Sequence, residues 1–334
     1  MIHNIQVLRA IAALMVVYFH TIGALNSYYP GNTLTENLFF SHWGAYGVDV
    51  FFVISGFIMV YTNSFKKRSP LAFIKDRIKR VVPLYWIFTA IFVLLYFIFP
   101  AAFRQKTLIP ADIIGSFFFY QYIIRHQDPV LIPGWTLEFE MLFYLVFSLS
   151  LFAKKMVQTV LISSLALCLL LFTGLDHLIL EFVLGMGLAL LYLKFPGFRF
   201  SRTGSYLALL TGMLLLILGA GYWVEARITV ITGALLLFAG FLYFRPIKHK
   251  IALLLGNASY SLYLIQTFTI PLFFKLWTKL PFAPTLFSQT AAVISCLVFT
   301  CIAAVISYRL IEQPLARLWA KKSAEQVSPA PLVK

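Results

Sequence analysis

Two ionisable side chains, Arg9 and His20, lie in an otherwise apolar stretch near the N-terminus. At about 100° and 1.5 Å per residue, their spacing brings both to one face of a helix, roughly 16 Å apart along its axis. An ionisable group inside hydrocarbon costs at least about 2.5 kcal/mol, and it usually persists because it lines a pathway or a reaction site. The pair therefore predicts a polar track along one helix through a membrane.

The chemistry open to this track is proton transfer, because an unperturbed imidazole such as that of His20 titrates at about 6.5. Asp49 opens the next apolar stretch, and we expect it at a similar depth, where its carboxylate would orient the imidazole. Glu138 and Glu140 open a later stretch, and about 200° separates them on a helix, so at most one faces a given cavity. The alternatives are a histidine hydrogen-bonded to a neighbouring helix and an aspartate in an ion pair that only packs.

A second group of charges lies in residues 66–80, which contain seven Lys and Arg mixed with Phe and Ile. This pattern predicts an amphipathic segment at one membrane face, and binding of anionic lipids would account for it. The alternative is a site for a phosphorylated ligand, because a guanidinium grips phosphate through a fork of donors. The candidate ligand-binding residues are Lys75, Arg77 and Arg80, joined by Arg9. The sequence has no Walker loop and no dinucleotide fingerprint.

The composition defines the class of protein that must position these residues. The 334 residues are 61% hydrophobic and 12% charged, whereas a soluble domain has about 25% charged residues. The apolar runs are continuous rather than alternating, which predicts an all-α integral membrane protein. The net charge of +15 comes from short loops, a pattern that sets membrane orientation and argues against nucleic-acid binding. The cysteines lie in apolar segments without metal-ligand spacing, so no metal is expected.

The apolar runs predict about ten transmembrane helices, with both termini in the cytoplasm of a bacterial inner membrane. With the N-terminus inside, the inner loops hold nineteen Lys and Arg and the outer loops six, in accord with the positive-inside rule. A further run, 113–124, is too short for a crossing and is expected to be re-entrant or interfacial. Residues 1–314 are expected to form one membrane domain and 315–334 a basic tail that is disordered at its end. The ten segments are 5–25, 44–62, 81–99, 135–153, 156–173, 178–193, 205–221, 228–244, 251–272 and 286–310.

Taken together, these motifs resemble the membrane acyltransferase-3 family, and within it the members that acetylate exopolysaccharide. Arg9 and His20 match its first-helix motif, and the second match is GVDVFFVISGF at 47–57. Further matches follow in family order along nearly the whole chain. They are Phe73, Arg77, Ile78, Arg80, Pro83 and Tyr85, then PGWTLEFEMLFY at 133–144, GNASYSLYL at 256–264, and Ile311, Glu312 and Pro314. Relatives often carry a His after the SYxLYL stretch, where this chain has Gln266.

The resemblance implies ten transmembrane helices and transfer of an acyl group, commonly acetyl, from cytosolic acyl-CoA to a carbohydrate hydroxyl. It also implies that Arg9 and His20 are the essential pair. The expected partners are acyl-CoA, a polysaccharide or lipid-linked repeat unit as acceptor, and membrane lipids.

The residues then take definite roles in a hypothesis of O-acyl transfer. His20 is the general base, Asp49 orients it, and Glu138 is the carboxylate expected to join them. Direct transfer and a covalent acyl-His intermediate both remain open. The rival hypothesis is a transporter or flippase of a lipid-linked sugar or small polar solute, which also needs ionisable residues along its path.

Overall fold

The computed structural model describes residues 3–29, 42–103, 107–219, 226–281 and 285–318, which fold into helices without any strand. The all-α prediction is therefore confirmed for this part of the chain. A 3₁₀ turn, Trp43–Tyr46, precedes α2, and a π-helical turn, Tyr308–Glu312, follows α12. The α-helices are α1 His3–Tyr28, α2 Gly47–Phe65, α3 Pro70–Ile98, α4 Pro110–Phe117, α5 Gly134–Ser150, α6 Met156–Leu171, α7 Ile179–Lys194, α8 Arg202–Gly219, α9 Ala226–Tyr243, α10 Lys250–Asn257, α11 Ser259–Trp277 and α12 Leu286–Ser307.

Each of the ten apolar segments predicted from the sequence coincides with a helix or with a bent helix pair. Five helices are long and apolar enough to cross a membrane, namely α1, α2 with its preceding turn, α3, α8 and α12 with its extension. The pair α10 and α11, bent by 72°, makes a sixth if it is one span. The count of ten crossings stays a prediction. Residues 220–221 of the seventh segment and 319–334 of the tail lie outside the described residues.

Close backbone contacts at glycine fix the position of α2 between α1 and α7. A Cβ on Gly185 of α7 would collide with the carbonyl oxygen of Val53, and one on Gly56 of α2 would collide with that of Phe182. Such small residues let helix backbones approach in the way that membrane helices pack. The α2–α7 pair therefore forms a rigid wall of the bundle.

Five helices close a ring, because α1, α2, α5, α3 and α11 each pack against the next and α11 packs against α1. Large side chains such as Leu8, Phe57 and Phe143 are fully buried in the core. Leu94 and Leu210 are more than half exposed on the outer surface, where hydrocarbon rather than water would cover them. The ring encloses a cavity that contains most of the residues discussed below.

Candidate active site

The cavity inside the five-helix ring, called the lumen from here on, has a volume of about 230 Å³. Its wall follows α2 from Val48 to Thr62, which at 1.5 Å per residue is about 21 Å of helix. Much of this wall is apolar, with Phe51, Phe52 and Ile58 among its residues. The lumen is therefore a narrow passage through much of the bundle's thickness.

Three guanidinium groups, those of Arg9, Arg77 and Arg80, converge on one end of the lumen. Arg77 is only 8% exposed, and its guanidinium lies 5.5 Å from the ring centre of Phe73 and 5.9 Å from that of Tyr144. Within the described residues, none of the three arginines has a carboxylate within salt-bridge distance, and the buried Nε of Arg77 has no hydrogen-bond partner. Arg9 is partly buried and Arg80 is exposed, so the argument from burial applies to Arg77. Because a buried cation is normally paired, its unpaired guanidinium favours an anionic ligand at this end of the lumen.

Lys75, the fourth cation expected at this site, lies elsewhere. It is exposed and lines neither the lumen nor the second cavity described below. The helical period explains the difference, because Lys75 is about 200° from Arg77 on α3.

Glu140, and not Glu138, is the carboxylate that faces the lumen. Its Oε1 accepts hydrogen bonds from the Ser55 hydroxyl at 3.1 Å and from the Tyr144 hydroxyl. Glu138 is 1% exposed and points the other way, accepting backbone hydrogen bonds from Tyr122 at 2.9 Å and Ile123 at 3.0 Å. The structure therefore corrects the placement of Glu138, which holds the loop before α5 instead of joining the site.

That loop is also fixed by a polar network around Asp112 of α4. The Arg125 guanidinium donates to its carboxylate at 2.9 Å, and the Gln121 amide donates at 3.0 Å. Burial alone would raise the pKa of Asp112, but hydrogen bonds from the Ile109 N–H, Gln121 and Arg125 lower it below its ordinary value. The carboxylate therefore stays ionised, and the loop that Glu138 anchors stays ordered.

His20 and Asp49 do not lie at the same depth. Gly47 at the start of α2 packs against Ala12 and Val16 of α1, and the two helices run antiparallel. Asp49 lies two residues beyond Gly47, which places it about two helical turns from His20. The expectation that Asp49 orients the imidazole is therefore wrong in its geometry.

The partners of Asp49 are Arg227 and Glu181, at the start of α9 and α7. Arg227 donates to the Asp49 carboxylate at 2.7 Å and also pairs with Glu181. Both carboxylates are buried, while a third of the Arg227 side chain is exposed. Arg227 is one of the six cations that the sequence places in outer loops, and no local pattern in the sequence indicates this long-range pairing.

His20 lies in α1 with partial burial, its ring 5.2 Å from that of Phe19. It is on the helix face of Arg9, as its spacing predicts, but it does not belong to the lining of the lumen. Away from the arginines, the hydroxyls of Thr136 and Tyr263, which both line the lumen, share a hydrogen bond of 2.7 Å. The structure therefore places Arg9 in the lumen and His20 beyond its far end.

A second cavity of about 410 Å³ adjoins the lumen and shares three residues with it, Gln6, Arg9 and Arg80. Its other walls come from α3, the end of α10 and the turn after α12. Glu312 in that turn accepts hydrogen bonds from the Ser261 hydroxyl at 2.6 Å and the Ser261 N–H at 3.2 Å. Arg9 and Arg80 thus stand between an apolar passage and a polar chamber.

A ring of membrane helices around such a passage is consistent with the family that the sequence motifs resemble, and comparison establishes it. The acyltransferase-3 family, described as an acyltransferase domain, matches residues 2–309. The chain belongs to this family, and it is a multi-pass membrane acyltransferase.

The chain is also similar to the exopolysaccharide production protein ExoZ of Rhizobium meliloti (strain 1021). The two are 35% identical over 296 residues, which cover 82% of this chain and 90% of that protein. No solved structure matches the chain at a significant level.

Proposed function

We propose that the chain moves an acetyl group from cytosolic acetyl-CoA to a hydroxyl of a cell-surface or exopolysaccharide sugar. The observation that carries this proposal is the convergence of Arg9, Arg77 and Arg80 on one lumen without a carboxylate partner among the described residues. Membership of the family indicates that the reaction is acyl transfer. The name of the similar protein supports exopolysaccharide as the acceptor.

The donor binds through its phosphates at the arginine end of the lumen. Guanidinium forks match phosphate oxygens and form hydrogen bonds about twice as strong as neutral ones. Glu140 lines the same lumen and accepts a hydrogen bond from Tyr144. Its negative charge repels phosphate and so keeps the phosphates of the donor on the side of the arginines. The slender, thioester-bearing arm of the donor then extends along the apolar wall of α2.

His20 acts as general base on the acceptor hydroxyl. The imidazole takes the hydroxyl proton, the oxygen attacks the acyl carbonyl, the carbon–sulfur bond breaks, and the imidazolium returns the proton to the departing CoA thiolate. Positioned base catalysis typically contributes about 10²–10⁴-fold. Asp49 takes no part in orienting the base, because Arg227 holds its carboxylate. A covalent acyl-His route is the alternative sequence of steps.

The Thr136–Tyr263 hydrogen bond lies between the two halves of this reaction. The thioester must reach past these two side chains for acyl groups in the lumen to meet an acceptor activated by His20. The acceptor approaches from the side of His20 and the donor from the side of Arg9, so the two substrates use opposite ends of α1.

The orientation in the membrane follows from charge. We infer ten crossings of the bacterial inner membrane with both termini in the cytoplasm, because the loops at the arginine end of the lumen carry most of the Lys and Arg. This orientation places the lumen's arginines towards cytosolic acyl-CoA and His20 towards the outer face. The 113–124 run contributes a short helix, α4, rather than a crossing.

The test is the O-acetyl content of the exopolysaccharide from cells that carry His20→Ala in place of the wild-type chain. We expect the acetyl signal in the NMR spectrum of the purified polysaccharide to disappear at equal protein level. His177→Ala is the matched control, since it changes a loop histidine outside both cavities. Normal acetylation in His20→Ala would remove the proposed base.

A transporter or flippase is the weaker hypothesis, because the family match covers residues 2–309 and names an acyl-transfer activity.

A further inference from the structure

The second cavity differs from the lumen in shape and chemistry. Its volume, about 410 Å³, lies within the range of about 300–1,000 Å³ typical of small-molecule sites. Besides Arg9 and Arg80, six of its thirteen wall residues are charged or carry an amide side chain. They are Gln6, Asp76, Lys79, Asn257, Glu312 and Gln313. The lumen, by contrast, has a long apolar wall.

Three polar side chains of this chamber are free to bind a ligand. The side chains of Asn257, Tyr308 and Gln313 make no hydrogen bond to any residue the structure describes. The Oε1 of Glu312 is likewise free, since both of its bonds from Ser261 reach Oε2. Amide, phenol and carboxylate groups are the donors and acceptors that read a heterocyclic base and ribose hydroxyls.

The backbone at this wall has an unusual form. Residues Tyr308–Glu312 form a π-helical turn that continues α12, and such turns are frequent at functional sites. The turn brings both Tyr308 and Glu312 to the chamber. Its presence is a second observation, independent of the polar lining, that marks the chamber as a binding site.

We propose that this chamber holds the adenosine 3′-phosphate end of the CoA donor, an inference that rests on the proposed function. The pyrophosphate lies at the shared wall of Arg9 and Arg80, the pantetheine arm enters the lumen past Arg77, and the nucleoside remains in the chamber against Asn257 and Tyr308. Lys79, which lines only the chamber, supplies a cation on the side of the 3′-phosphate. The chamber thus gives the enzyme a means of selecting CoA over shorter thioesters.

Binding of two donors that share an acyl arm separates the chamber from the lumen. Radiolabelled acetyl-CoA and acetyl-4′-phosphopantetheine, which lacks the adenosine 3′,5′-bisphosphate portion, are bound to the purified full chain in lipid nanodiscs. We expect Asn257→Ala and Tyr308→Ala each to raise the Kd for acetyl-CoA by about fivefold to tenfold, the loss of roughly one hydrogen bond. The Kd for acetyl-4′-phosphopantetheine should change by less than about twofold by the same argument.

The control variant is Tyr206→Ala, which removes an exposed tyrosine of α8 outside both cavities and should leave both constants unchanged. If acetyl-CoA binds the wild-type chain but the two variants raise the Kd equally for both donors, or for neither donor, the chamber assignment is overturned. Failure of the wild-type chain to bind acetyl-CoA would overturn the proposed function, and the chamber assignment with it. Adenosine 3′,5′-bisphosphate should compete with acetyl-CoA for the wild-type chain and not for Asn257→Ala, and this result would support the chamber assignment.

Discussion

At the scale of single residues, the two glutamates of α5 show how two positions on one helix take different roles. Glu140 faces the lumen with its carboxylate on Ser55 and Tyr144. Glu138 instead receives the backbone N–H groups of the preceding loop. Substitution of each should therefore change a different property.

Glu140→Gln should lower the rate of acetyl transfer, because it removes the negative charge among the lumen's arginines while it keeps the shape of the side chain. A loss of about 10²-fold is expected, because without this charge the phosphate, and with it the acyl arm of the donor, is misplaced. Glu138→Gln should lower the thermal unfolding temperature instead, because one amide oxygen replaces two carboxylate oxygens as acceptor. Transfer rates and unfolding temperatures of the two purified variants check this, and the reverse pattern would refute the assignment.

Arg77 and Lys75 provide a matched pair of cations two residues apart on α3. Arg77→Ala should raise the Kd for acetyl-CoA by about 10–100-fold, since a hydrogen bond to a charged group contributes about 1.5–3 kcal/mol. Lys75→Ala should leave the Kd within about twofold, because an exposed cation contributes little in water. Calorimetric titration of both variants distinguishes a defined phosphate site from general attraction by the basic segment, which would weaken equally in both.

At the scale of helices, close packing against α7 holds α2, which forms a wall of the lumen. Gly185 lies against the backbone of Val53, whereas a Cβ on Gly187, two residues further along α7, would meet open space. Both positions are helical, so both gain about 1 kcal/mol of helix propensity on change to alanine. Only the change at Gly185 also disturbs the packing of α7 against α2.

Gly185→Ala should lower the thermal unfolding temperature and reduce transfer, because α7 must move away from α2 to admit the methyl group. Gly187→Ala should leave the unfolding temperature unchanged or raise it. Fluorescence-monitored melting of the two variants in detergent measures the difference. Equal melting temperatures would show that the α2–α7 contact is looser than described.

The ion cluster of Asp49, Glu181 and Arg227 joins the first turns of α2, α7 and α9. Each carboxylate lies at the N-terminal end of its own helix, where the backbone dipole favours negative charge. We interpret the cluster as a structural link, since the Arg227 guanidinium pairs with both acids. It also explains why the sequence motif around Asp49 need not indicate catalysis.

At the scale of the whole molecule, composition and hydropathy predict the helical class and the positions of the helices well. The reason is physical, since apolar runs of this length have few alternatives to a helix in a membrane. Arg9 is also placed correctly, because helical periodicity is a local property. The partners of Asp49 and the orientation of Glu138 depend on contacts between distant segments, which a single sequence does not encode locally. The second cavity could not be predicted for the same reason.

The expected topology is tested by cysteine accessibility in a variant without native cysteines. Single cysteines at Lys67 and Lys154 should react with a membrane-impermeant maleimide only after the cells are opened, because both loops are expected in the cytoplasm. A cysteine at Asp128 should react in intact cells. Reaction at Lys154 from outside would mean that 113–124 is a crossing and that the later helices are inverted.

The central claim is that the lumen's arginines hold a CoA donor whose acyl group is passed to a sugar hydroxyl. The most direct measurement is incubation of the purified chain with acetyl-CoA labelled in the acetyl group and with deacetylated exopolysaccharide. The account predicts that label moves to the polysaccharide as an alkali-labile ester with the wild-type chain, and at less than about a hundredth of that rate with Arg9→Ala. Undiminished transfer by Arg9→Ala, or no transfer by the wild-type chain, would contradict it.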